Sequence, residues 1–128
     1  MTAAALILAG LAAAVHVFIF YLESAVWTGP RARAVFGTTE PEAQATRALA
    51  FNQGFYNLFL AIAVATGIVL VAAGQTAVGA TLVFAGAGSM AAAALVLVLS
   101  DRAYVSAALK QGALPALAVL LLALGLAL

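Results

Sequence analysis

Glu23 is the only charged residue outside two short polar windows, 31–47 and 101–110, and it stands in an apolar run with His16 seven residues before it and Trp27 four after it. An acid and an imidazole at that spacing can do proton chemistry. Seven residues of α-helix are two turns, so the pair would differ by about 20° around the axis and roughly 10 Å along it. They share a face but are too far apart to bond each other directly, which leaves room for a water or a bound molecule between donor and acceptor. A second polar group, Asn52, Gln53, Tyr56 and Asn57, opens another apolar run, with Asn52 and Tyr56 four apart and Gln53 and Asn57 four apart. A third, Gln111-Gly112-Ala113-Leu114-Pro115, opens the last. Amides and a phenol are suited to orienting the polar end of a ligand rather than to moving its protons.

The elements that must position these groups follow from composition. With 67% hydrophobic and 7% charged residues and a mean hydropathy of +1.22, 128 residues carry too little polar surface to coat a globule in water. Lipid must be the solvent. A hydrocarbon layer about 30 Å thick takes roughly 20 residues per helix, so the chain holds four spans and no separate soluble domain. The apolar runs place them at about 3–27, 48–73, 76–100 and 111–128. Continuous runs without dyad alternation disfavour strands and a transmembrane barrel, so the expected fold class is an all-α polytopic four-helix bundle forming one domain over 1–128. The first run lacks a basic leader and continues through Phe18, Phe20 and Leu22, so it is expected to be a retained helix rather than a cleaved signal.

Thr28-Gly29-Pro30 ends the first run. Thr39 and Glu42 have the spacing of a capping box, and Pro41 suits a first helical turn, so the second helix can begin well before its apolar part and stand out of the bilayer. In the fourth span Pro115 is expected in the first turns, where its missing N–H does little harm. All five Lys and Arg residues fall in the first and third connections, which the positive-inside rule assigns to the cytoplasm, with both termini on the other side. A bacterial cytoplasmic membrane is the expected location. On that topology three helices bring polar groups to one layer near the cytoplasmic face. In the third span Ala85, Ser89 and Ala93, with Gly88 and Ala92 beside them, form a small-residue strip that suits close helix packing within the chain or, alternatively, a homo-oligomer contact.

Some functions are excluded or disfavoured. The net charge of +1, with its cations dispersed, gives no footprint for nucleic acid. One histidine and no cysteine fall short of a closed zinc or copper set, so no metal and no cofactor are expected. Phosphate-loop and hydrolase-elbow motifs are absent.

The strings HVFIFYLESAVW at 16–27, NQGFYNLFL at 52–60 and QGALPA at 111–116 resemble a family of small four-span membrane proteins catalogued as domain of unknown function 1304. The likeness covers nearly the whole chain and departs most in the third span. The resemblance implies a four-span fold and no particular activity. It marks His16, Glu23, Trp27, Asn52, Gln53, Gly54, Tyr56, Asn57, Gln111, Gly112 and Pro115 as motif positions.

Three functions fit these residues. In the first, a lipophilic small molecule binds among the helices, with Glu23 and His16 as acid and base and Trp27, Asn52, Gln53, Tyr56, Asn57 and Gln111 lining the site. In the second, a dimer exports substrate against protons that Glu23 carries. In the third, the polar groups only fix helix register in a non-catalytic membrane subunit. Whether the protein is an enzyme stays open between them; membrane lipid is a partner in all three.

Overall fold

The computed structural model describes residues 1–128. It contains five α-helices and no strand: α1 (Thr2–Phe20), continued by a π-helical turn (Tyr21–Ala25), then α2 (Pro30–Phe36), α3 (Glu40–Ala72), α4 (Thr76–Ser100) and, after a 3₁₀ turn (Arg102–Tyr104), α5 (Val105–Ala127). Four stretches, Thr2–Ala25, Glu40–Ala72, Thr76–Ser100 and Arg102–Ala127, are long and apolar enough to cross a membrane. Helices suit that solvent because each satisfies its own backbone hydrogen bonds. The chain divides into two compact units, Met1–Val15 with Leu60–Leu128, and His16–Phe59.

The first unit packs four helical stretches through very small side chains. Its core is Ala5, Ala9 and Ala12 of α1, Ala61 and Val64 of α3, Val83, Ala87 and Met90 of α4, and Ala118 and Leu122 of α5. In lipid there is little hydrophobic gain from bringing helices together, so close backbone approach and dispersion must supply the attraction. The closest crossing is between α3 and α4. A Cβ built on Gly79 would lie 2.6 Å from the carbonyl oxygen of Gly67 and 2.6 Å from the amide nitrogen of Val71, and a Cβ on Gly67 would lie 2.6 Å from the carbonyl oxygen of Gly79. The two helices are joined by a tight turn in which Gly74 takes φ +84° while Gln75 N–H bonds Leu70 O and Gly74 N–H bonds Val71 O, a Schellman cap.

Two features of this unit differ from the sequence reading. The buried stripe of α4 runs through Gly79, Ala80, Val83, Gly86, Ala87, Met90 and Ala94, whereas Ala85, Ser89, Ala92 and Ala93 are exposed and nothing lies within 4 Å of a Cβ added at Gly88. The strip singled out from sequence therefore does not pack within the chain. Ser89 satisfies its hydroxyl on its own helix, donating to Ala85 O at 2.6 Å. In addition, α5 starts at Val105, so Pro115 is interior rather than in the first turns. Ser106-Ala107-Ala108-Leu109-Lys110, bounded by a hydroxyl and a charge, precedes the apolar run read from sequence yet forms helix, extending α5 by nearly two turns. Pro115 is buried, and Gly112, one turn earlier, sits so close to Ala94 that an added Cβ would overlap that side chain.

The second unit holds the end of α1, the π-turn, α2 and the first half of α3. Pro30 opens α2 at its first position, and Gly37 closes it at φ +68°. Half of the capping box expected at Thr39 forms: Thr39 N–H donates to Glu42 Oε2 at 2.8 Å, while the Thr39 hydroxyl, the acceptor in the other half, donates to the same oxygen at 2.7 Å. That cap starts α3 at Glu40 and makes it 33 residues long. Arg33 reaches Glu40 at 3.9 Å across the same connection.

If the α3–α4 crossing holds the first unit together, Gly79→Ala should lower unfolding stability in detergent by about 1–3 kcal/mol, the usual cost of overpacking, while Gly88→Ala should stay within about 0.5 kcal/mol of the parent. Equal melting temperatures for the two variants would show that the crossing is not tight.

Candidate functional site

The π-turn is where the second unit departs from regular helix. Phe20 is still α-helical, with φ −51° and ψ −48°, but Tyr21–Ala25 close wider i→i+5 turns and Val26 leaves the helix at φ −133° and ψ 24°. Glu23 sits in the middle of the widened segment. A π-turn turns the chain less per residue than an α-turn, so the two-turn phase argument for His16 and Glu23 no longer holds, and Trp27 lies beyond the helix end rather than on its stripe. Such single π-turns are frequent at functional positions, where they aim one side chain off the regular helical grid.

What this segment meets is one face of α3. Thr46, Ala50, Gly54 and Asn57 follow each other at four, four and three residues, a single stripe. Gly54 is the point of closest approach. A Cβ there would run into Ser24 Oγ and stand 3.1 Å from both Ser24 N and Glu23 Cβ. With glycine in place, three side chains of the 23–27 segment reach α3. Asn57 Nδ2 donates to Glu23 Oε2 at 2.9 Å. Ser24 Oγ donates to Phe51 O at 2.9 Å. Trp27 Nε1 donates to Thr46 Oγ1 at 3.1 Å, and that hydroxyl in turn donates to Glu42 O at 2.7 Å. The Trp27 ring also packs against Phe36, with centroids 5.0 Å apart.

The sequence-selected residues therefore separate. Glu23 and Asn57 are brought together, and Gln53 joins through its backbone, since Asn57 Nδ2 also donates to Gln53 O at 3.2 Å. The side chains of Asn52, Gln53 and Tyr56 are exposed. Trp27 is engaged structurally by Thr46. His16 is the one polar residue of the protein that is fully buried, at 2% exposure, and it has an interaction partner within the chain. Gln111 belongs to the first unit, half-buried on α5. Sequence reasoning missed Ser24 and Thr46. Both are polar residues beside or facing a flagged position, and pairing polar residues across the first connection would have found them.

No cluster of three or more His, Asp or Glu side chains could hold a metal ion. Two surface grooves, one lined by Ala91, Ala94, Leu95 and Gly112 among others and one along the N-terminal part of α3, include neither Glu23 nor Asn57. Glu23 is half-buried; its Oε2 takes the bond from Asn57, and Oε1 accepts none from the protein. A carboxyl held by one oxygen with the other open can accept a hydrogen bond or a proton from a bound molecule.

Fold and site together define an all-α integral membrane protein with a carboxyl–amide pair inside its apolar stretches. The chain belongs to the family described as Protein of unknown function (DUF1304), whose profile matches residues 10–123. No curated protein and no solved structure matches it.

Because Gly54 lets the π-turn reach α3, Gly54→Ala should release all three cross-links at once. Fluorescence of Trp27, the only tryptophan, should shift to the red and stability should fall by about 1–3 kcal/mol. Unchanged emission and melting would show that the close approach is not what seats the turn.

Proposed function

We propose that this protein binds a lipophilic small molecule in the membrane, with Glu23 as the group that accepts a hydrogen bond or proton from the molecule's polar end. The supporting observation is the Glu23–Asn57 pair: one carboxyl oxygen fixed at 2.9 Å, the other without a protein donor, on a π-turn that lifts the side chain off the helical grid. Asn57 sets the orientation of the carboxyl, and its second contact to Gln53 O keeps the amide from rotating away. Exposed Gln53 supplies a neighbouring amide to the ligand. His16 is buried and engaged within the chain, so it is not a contact of the ligand. The carboxyl is the one group of the Glu23–Asn57 pair that can exchange a proton with the bound molecule.

The depth of the pair agrees with an amphiphilic ligand. Counting about 20 residues of hydrocarbon-spanning helix back from Ala72 reaches the neighbourhood of Asn52, which puts Asn57 and its partner roughly 7 Å inside the boundary. A ligand there keeps its apolar body in lipid and its donor on Glu23. We assign that boundary to the cytoplasmic leaflet of a bacterial membrane because both basic connections would then lie inside.

Purification in mild detergent followed by solvent extraction and mass spectrometry tests the reading. The wild type should carry one lipophilic molecule per chain, and Glu23→Gln should retain it about 10- to 100-fold less, the range that a hydrogen bond to a carboxylate represents. Equal retention by both would contradict it. So would the absence of any retained molecule together with pH-gradient-driven flux in liposomes that Glu23→Gln abolishes, which is transport.

A further inference from the structure

The N-terminal part of α3 carries a feature that the Glu23 site does not use. A shallow, open groove on the outer side of α3 is lined by Gln44, Ala45, Arg47, Ala48 and Phe51, all of that one helix and all in the second unit. Its face of α3 is distinct from the one that meets the π-turn: at 100° per residue, 47, 48, 51 and 55 centre about a third of a turn away from 46, 50, 54 and 57.

Charge sets the chemistry of the groove. The acidic residues of this stretch are Glu40, which reaches Arg33 at 3.9 Å, and Glu42, which is taken up by Thr39. Arg31 lies over the ring of Phe18, 5.3 Å from its centroid. Arg47 alone among these cations has neither an ion pair nor a ring, and its side chain is exposed beside the groove. An uncompensated guanidinium is a bidentate donor for a phosphate, and Gln44, one turn earlier, adds an amide donor.

Depth and shape identify the anion's carrier. α3, with 33 residues, is about 50 Å long against a hydrocarbon layer of about 30 Å, so its first dozen residues stand at headgroup level and Phe51 marks the entry to the acyl region. From there an aromatic ladder runs inward: Phe51, Phe55 and Phe59, at i, i+4 and i+8, with centroid separations of 5.0 and 6.1 Å. Phe20 braces the middle ring edge-on at 5.1 Å. Ala45 and Ala48 leave the space, Arg47 and Gln44 face the headgroup, and the phenyl rings continue as a track for a chain.

We infer that this groove is a specific site for one anionic phospholipid, whose phosphate is held by Arg47 and Gln44 and whose acyl chain lies along Phe51, Phe55 and Phe59. It is independent of ligand binding at Glu23.

The test uses the full-length protein in micelles containing equal amounts of phosphatidylglycerol and phosphatidylcholine, with bound lipid read by native mass spectrometry. The wild type should prefer phosphatidylglycerol about fivefold, the factor expected for one basic side chain at a membrane surface. Arg47→Gln should abolish the preference with Trp27 fluorescence unchanged, and Phe51→Ala should weaken retention of both lipids. Arg102→Gln, which removes an exposed cation from the other connection, should leave the preference intact. The inference is overturned if the wild type shows no preference, if the preference survives Arg47→Gln, if Arg102→Gln removes it equally, or if excess inorganic phosphate strips the lipid and so reveals a site for free anions.

Discussion

A carboxyl carried into an apolar segment has no bulk water to solvate it, so it must find its hydrogen bonds in the protein or in a ligand. In this chain the requirement is met by bringing the backbone of Glu23 and Ser24 almost onto α3, and only a glycine at 54 leaves space for that. The π-turn, the donation from Asn57 and the flanking contacts of Ser24 and Trp27 all depend on this approach. The partners run in opposite orders, 27, 24, 23 on one side against 46, 51, 57 on the other, as antiparallel neighbours joined by a short connection must. The result is a short zipper of three side-chain bonds whose innermost member is the carboxyl.

The two units are stabilised by different means. In the first, alanine and glycine bring helices to near backbone contact, and the energy is dispersion summed over many small contacts. Thr81 and Ser89 satisfy their hydroxyls within their own helix, on Ala77 O and Ala85 O, while Thr2 Oγ1 donates from α1 to Gly125 O of α5 at 3.5 Å. In the second, hydrogen bonds between side chains and across segments do the holding, helped by aromatic contacts such as Trp27 with Phe36 and Phe20 with Phe55. Chemistry belongs in the second kind of environment, where a polar group is oriented yet retains an unfilled valence for hydrogen bonding. Glu23 meets that condition, whereas buried His16 is already engaged.

Much of this was legible in the sequence because it depends on composition or on short-range spacing. Long unbroken apolar runs give four helices, and Thr39 with Glu42 gives the cap that starts α3. The pairing of Glu23 with Asn57 of α3 follows from antiparallel neighbours with a short link. What the sequence did not reveal depends on tertiary contact. The π-turn is a choice between i→i+4 and i→i+5 bonding that YLESA does not encode alone; it accompanies the docking on Gly54. Small residues were abundant enough on α4 that two strips competed, and only packing shows that Gly79–Gly86–Ala87 is buried while Ala85–Ser89–Ala93 is not. The early start of α5 escaped an apolar window because Ser106 and Lys110 are good enough helix residues but poor span residues.

The most direct test of the central claim is a double-mutant cycle on Glu23→Ala and Asn57→Ala, with unfolding free energy measured for all four proteins in the same detergent. A bond that organises the π-turn should appear as a coupling of about 1–3 kcal/mol, the double variant being less destabilised than the sum of the single ones. Additivity within about 0.5 kcal/mol would mean that the two side chains act separately, and the account of the site would fail with it.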